Sequence, residues 1–91
     1  MVVEDEPAIR ALLVEFLSDE GYAVEAARDG QEALRLLDER GPSGWPSVVL
    51  LDMMLPRMDG AELLRRLRAR GLAVPVVAMS ASHEALTTAL A

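Results

Sequence analysis

A run of four consecutive apolar residues, Val48 to Leu51, constrains the fold more than any other segment of the chain. A strand that is exposed to water on one face alternates apolar and polar side chains, whereas a strand covered by helices on both faces is apolar throughout. The run is bounded by Ser47 and Asp52 and is too short for a helix of ordinary length. It therefore predicts an inner strand of a parallel sheet that lies between two layers of helices.

An apolar strand followed by an amphipathic helix recurs along the chain. The other strands are predicted at residues 1–3, 22–26 and 74–79, and helices are predicted to begin near residues 7, 29, 59 and 82, with glycines ending the first three. The helical residues predicted to face the sheet are Ile9, Leu12, Leu13, Phe16 and Leu17, then Ala33, Leu34 and Leu37, then Leu63, Leu64 and Leu67. Four successive β/α units predict one α/β domain, residues 1–91, with a parallel sheet and right-handed crossovers.

Composition narrows the classes of function. The net charge of −6 disfavours direct nucleic-acid binding, because a polyanion is repelled by an acidic domain that has no basic patch. The chain has no cysteine, no apolar run near the length of a membrane span and no signal-peptide pattern, so we expect a cytoplasmic protein that does not bind membranes. All nine basic residues are arginines.

Acidic residues and one hydroxyl follow the predicted strands, at Glu4-Asp5-Glu6, Asp52, Asp59 and Ser80. The carboxyl ends of parallel strands lie along one edge of a sheet, so these side chains are expected to converge. Clustered carboxylates favour a divalent cation, and Mg²⁺ prefers oxygen ligands. We expect direct Mg²⁺ contacts from Asp5 and Asp52 and a contact through water from Glu4. Asp52 would then act as a nucleophile towards a phosphoryl group, and Ser80 would hydrogen-bond to it.

Not every acid is assigned to the metal. Glu6 and Asp59 precede predicted helices and are interpreted as acids that stabilise helix N-termini. His83 is interpreted as a surface residue, Trp45 as a side chain packed over its loop, and the arginines at positions 65, 66, 68 and 70 as a solvated helix face.

Four blocks in order carry a resemblance to a known family: Val2-Val3-Glu4-Asp5-Glu6-Pro7, Asp29-Gly30-x-Glu-Ala-Leu34, Leu51-Asp52-x-x-Leu-Pro56-x-x-Asp59-Gly60, and Pro75-Val-Val-Ala-Met-Ser80-Ala81. Together they resemble the receiver domain of two-component response regulators. The resemblance implies a flavodoxin-like (CheY-like) three-layer sandwich with strand order 2-1-3-4. It also implies Asp52 as phosphoacceptor, Ser80 as phosphate-sensing hydroxyl, and a Mg²⁺ site made by Glu4, Asp5, Asp52 and the backbone carbonyl of Met54.

The resemblance implies a partner that donates the phosphoryl group, a sensor histidine kinase or a phosphotransfer protein. The function expected is a signalling switch that modifies its own Asp52 and is not an enzyme with turnover. The family continues into a fifth strand with a Lys-Pro pair and a fifth helix, whereas this chain contains no lysine and stops inside the fourth predicted helix. We therefore expect the fifth β/α unit to be missing. Either the fourth strand presents an edge at which the molecule pairs with a second copy or rearranges, or the sequence is a fragment of a longer protein.

Two other functions stay open at this level. The chain can be a pseudo-receiver or truncated scaffold that is never phosphorylated and acts in protein assembly. It can also be a phosphatase with an aspartyl nucleophile, although such sites need a second acid two residues after the first, where this chain has Met54. The kinase, the signal and the output domain are not specified by these residues.

Overall fold

The computed structural model describes residues 1–53, 55 and 58–79. The strands are β1 (Val2–Val3), β2 (Ala26–Ala27), β3 (Val49–Asp52) and β4 (Val76–Met79), and the helices are α1 (Pro7–Asp19), α2 (Gly30–Arg40) and α3 (Gly60–Ala69). A short 3₁₀ turn, Pro42–Gly44, follows α2. Within these described residues, no helix is long and apolar enough to cross a membrane. The helix predicted from Ser82 onward lies outside the described residues.

The four strands form one parallel sheet in the order β2-β1-β3-β4, which confirms the predicted architecture. The second strand is shorter than predicted, because residues 22–25 are not part of it. Its register explains the difference, since Val2 is opposite Ala26 and Val3 is opposite Ala27. An outer strand extends only as far as its neighbour offers backbone partners, and β1 offers two residues.

Helices α2 and α3 pack together on one face of the sheet and enclose the apolar core. Both helices begin as predicted at an aspartate whose carboxylate accepts the backbone N–H three residues later: Glu32 N to Asp29 Oδ1 and Glu62 N to Asp59 Oδ1, each 2.8 Å. This cap satisfies a donor that would otherwise lack a partner at the helix start. Leu64 is half-buried, and the buried residues of these two helices are Gly30, Ala33, Leu34, Leu37, Gly60, Leu63 and Leu67.

Helix α1 differs from the prediction. None of its residues is buried, and Leu12 and Phe16 are 65% and 61% exposed. The helix lies against β1, where Val2 is fully buried, and Leu13 and Leu17 are half-buried. In the part of the chain that the structure describes, no second helix packs beside α1 as α3 packs beside α2, so one side of its apolar face stays open to solvent.

Candidate metal and phosphoacceptor site

The register of the two inner strands brings Glu4 and Asp52 together. Val3 is opposite Leu51, Glu4 follows Val3, and Asp52 is the last residue of β3. The two acids therefore leave adjacent strands at the same level, although 48 positions separate them in sequence. The backbone N–H of Glu4 donates to the carbonyl of Ala27 at 3.0 Å, which ties this end of β1 to β2 as well. The convergence expected at the carboxyl edge of the sheet is confirmed for this pair.

A third acid completes the cluster. Glu4, Asp5 and Asp52 each place a carboxylate oxygen within 4.8 Å of the others. Glu4 is buried with 5% of its surface exposed, Asp52 is half-buried and Asp5 is exposed. Solvent thus reaches the cluster from the side of Asp5, while its base is closed by the sheet.

Glu4 carries the electrostatic cost of this arrangement. Burial, a side-chain hydrogen bond with Asp52, and the negative charges of Asp52, Asp5 and Glu6 together raise the pKa of Glu4 from 4.5 to about 8. At neutral pH the cluster is therefore held together partly by a proton between two carboxyl groups. A divalent cation would replace that proton and neutralise the same charges more completely, so the donor set fits Mg²⁺, which takes carboxylate oxygens and keeps several waters.

The start of α3 crowds the backbone that follows Asp52. A Cβ atom built on Gly60 would lie 2.8 Å from the Cα of Met53 and 2.5 Å from its sulfur, and the Gly60 N–H donates to the Met53 carbonyl at 3.3 Å. Gly60 does not have a positive φ, unlike Gly21, Gly41 and Gly71. Glycine is therefore needed at position 60 for close approach between two backbones and not for a left-handed conformation.

The other residues that the sequence singled out either have structural roles in the described part of the chain or lie outside it. Glu6 caps α1, with its Oε1 3.5 Å from the Ala8 N–H, and Asp59 caps α3, as the sequence predicted for both. Ser80, Met54 and His83 lie outside the described residues, so their roles stay predictions. Trp45 packs against the core and donates its indole N–H to the Leu37 carbonyl at 3.1 Å, in line with a structural role.

Two cavities lie away from the acidic cluster. One, of about 840 Å³, lies between α2 and α3, and its lining includes the ion-paired residues Arg35, Asp38 and Glu62. The other, of about 1010 Å³, lies at the amino ends of the strands and includes Tyr22 and Trp45. Neither is lined by Glu4, Asp5 or Asp52.

Comparison with known proteins agrees with this fold. The family model for the response regulator receiver domain matches residues 1–91. The chain belongs to the response regulator receiver domain family. The response regulator MprA of Mycolicibacterium vanbaalenii is 44% identical over 81 residues, which are 89% of this chain and 33% of that protein. This receiver domain thus spans about a third of the length of the curated relatives it matches.

Solved structures support the same fold. The receiver domain of NtrX from Brucella abortus is 35% identical, with a TM-score of 0.79 over 98% of this chain and 74% of that one. The response regulator TrrA from Thermotoga maritima, in a complex with Mg²⁺-BeF, is 34% identical, with a TM-score of 0.77 over 91% of this chain and 69% of that one. The flavodoxin-like fold and the assignment to two-component signalling are confirmed, and the receiver domain is a signalling module.

Proposed function

We propose that this receiver domain accepts a phosphoryl group on Asp52 from a sensor histidine kinase or a phosphotransfer protein, in a reaction that requires Mg²⁺. The observation that carries the proposal is the cluster of Glu4, Asp5 and Asp52, whose oxygens lie within 4.8 Å of one another at the open edge of the sheet. The complex of the similar protein TrrA with Mg²⁺-BeF supports the same chemistry for this chain. Bound Mg²⁺ would supply charge neutralisation for an incoming phosphate.

Each residue of the proposed site would have a separate role in metal binding or phosphoryl transfer. Asp5 and Asp52 would hold Mg²⁺ directly, Glu4 would hold it through water, and the carbonyl of Met54 would complete the protein ligands. An oxygen of Asp52 would attack phosphorus, forming a P–O bond while the P–N bond to the donor histidine breaks and the released imidazole takes up a proton. Ser80 would then donate its hydroxyl hydrogen to a phosphoryl oxygen.

The consequence of phosphorylation would be a change in binding. The modified Asp52 adds negative charge at the end of β3, next to the residues that lead into α3, and so biases the affinity for an effector or a second copy. We place the contact with a second copy at the edge of β4, which is the outermost strand on that side among the residues that the structure describes. A pseudo-receiver that acts only as a scaffold is the alternative, and the clustered acids disfavour it because that role does not need them.

Mass spectrometry of the intact protein tests the proposal. The protein is incubated with a small acyl phosphate and Mg²⁺, and we expect an adduct with the mass of one phosphoryl group that Asp52→Asn abolishes. The matched control is Asp59→Asn, because asparagine caps a helix as well as aspartate does and Asp59 lies outside the cluster. An unmodified wild-type protein, or an adduct that survives in Asp52→Asn, would contradict the proposal.

A further inference from the structure

Arg10 contacts the backbone that carries the two acids at the end of β1. Its Nη1 donates to the carbonyl of Glu4 at 2.9 Å and lies 3.4 Å from the carbonyl of Asp5. The side chain starts from the first turn of α1 and is half-buried. By sequence alone, Arg10 belongs to the polar face of an amphipathic helix, and the helical pattern gives no sign that its guanidinium turns back to the strand end.

The contact constrains the direction of the acidic side chains. Glu4 and Asp5 lie between the last residue of β1 and Glu6, the N-cap of α1, so both belong to the short connection from strand to helix. When the peptide planes on both sides of a residue are held, its φ and ψ, and thereby its Cα–Cβ direction, are fixed. The plane before Glu4 is held by its N–H bond to Ala27, and the planes after Glu4 and after Asp5 are held by Arg10. A guanidinium bound to both carbonyls therefore ties the two peptide planes to α1.

We infer that Arg10 is a positioning residue for the Mg²⁺ site, a role that rests on the proposed function. It holds the backbone so that the carboxylates of Glu4 and Asp5 meet that of Asp52. Residues that orient metal ligands without touching the metal commonly change metal affinity by tenfold or more when they are substituted. Arg10 does this through carbonyl oxygens, which leaves the carboxylate oxygens available to the ion.

Two possible roles of Arg10, a nearby positive charge or a residue that positions the ligands, predict opposite changes in Mg²⁺ affinity when Arg10 is removed. If the guanidinium were only a nearby positive charge, its removal would strengthen Mg²⁺ binding, because a charge of the same sign as the ion would be gone. If it positions the ligands, its removal weakens Mg²⁺ binding even though the site becomes more negative. The sign of the change in the dissociation constant therefore separates the two roles.

The experiment titrates Mg²⁺ alone into the protein by calorimetry, above the Glu4 pKa of about 8 so that the proton does not compete. We expect Arg10→Gln to raise the Mg²⁺ dissociation constant about tenfold. The matched control, Arg28→Gln, removes an exposed arginine that follows β2 at the same edge and pairs with Glu32. We expect its dissociation constant to stay within about twofold of the wild type or to fall slightly, since only charge is lost.

A dissociation constant for Arg10→Gln that equals or falls below the wild-type value would overturn the inference. Circular dichroism tests whether the Arg10→Gln variant is folded. If it is unfolded, the Mg²⁺ dissociation constant of Arg10→Lys decides the question. Lysine keeps the charge but its ammonium is one bond shorter and lacks the planar fork, so we expect a rise of about three-fold, and an unchanged constant would overturn the inference. A wild-type protein that does not bind Mg²⁺ would instead contradict the metal site itself, and with it the proposed function.

Discussion

Glu4 and Asp52 share a side-chain hydrogen bond between the ends of β1 and β3, and burial together with this bond raises the pKa of Glu4 to about 8. The pair is the electrostatic centre of the candidate site. The proton of the Glu4 carboxyl group lies where the proposed cation would bind, so binding of the cation and release of this proton are linked.

Proton release should accompany Mg²⁺ binding. Between pH 4.5 and about 8, folded Glu4 keeps a proton that Mg²⁺ would displace, so the affinity for Mg²⁺ should rise with pH and level off above 8. Calorimetry near neutral pH in buffers of different ionisation enthalpy should give a slope approaching one proton released per ion. Glu4→Gln is the control, and its slope should be near zero. An equal slope in this variant would assign the proton to another group.

The stability of the metal-free domain should fall as pH rises towards and through 8. The pKa of Glu4 is raised in the folded state, so between pH 4.5 and about 8 the folded protein binds a proton that the unfolded chain has lost. Stability therefore decreases with increasing pH over that window and changes little above it on account of this residue. Thermal melts in the presence of a chelator should show this fall for the wild type. A melting temperature of Glu4→Gln with the same pH dependence would contradict the assignment.

Gly60 should be far less tolerant of alanine than Gly30, although both are buried first residues of helices. At Gly60 the new methyl group meets the Met53 backbone, whereas at Gly30 it meets the flexible side-chain end of Met58 at 3.0 Å. We expect Gly60→Ala to lower the free energy of unfolding by about 2 kcal/mol, since overpacking against backbone forces a shift. Gly30→Ala should change it by less than about 1 kcal/mol in either direction.

Urea unfolding of the two variants measures this difference. Gly60→Ala should also slow formation of the Asp52 adduct, because the displaced backbone follows the acceptor directly. Equal stability of both variants would show that the approach of Gly60 to Met53 does not constrain this loop.

The two faces of the sheet should respond differently to the loss of leucine side chains. Leu67 is 1% exposed in the core between α2, α3 and the sheet, and Leu12 is 65% exposed on α1. We expect Leu67→Ala to cost about 3 kcal/mol, which is a large part of the stability of a small domain. Leu12→Ala should cost less than about 0.5 kcal/mol, as is usual for surface substitutions. Chemical denaturation of both variants tests this, and a comparable loss in Leu12→Ala would indicate that its side chain is covered in solution.

The sequence by itself determined the elements and their order. The apolar run of β3 required cover on both faces, and the aspartates at positions 29 and 59 marked two helix starts where the structure has them. These features follow from local rules of periodicity and capping, which depend on neighbouring residues only. The motif blocks likewise identified Glu4, Asp5 and Asp52 as a set, and the parallel topology placed them at one edge.

Only the tertiary structure decided what those residues do to one another. The register of β1 against β3 set the contact of Glu4 with Asp52, and burial together with this contact raises the pKa of Glu4. No local pattern encodes a register between distant strands. The approach of Gly60 to Met53 and the turn of Arg10 towards the end of β1 are contacts of the same kind. Helix α1 is an example in which the sequence pattern was not sufficient. Its amphipathic periodicity predicted a buried apolar face, but burial also requires a neighbouring element, and the periodicity of a helix does not show whether that neighbour is present.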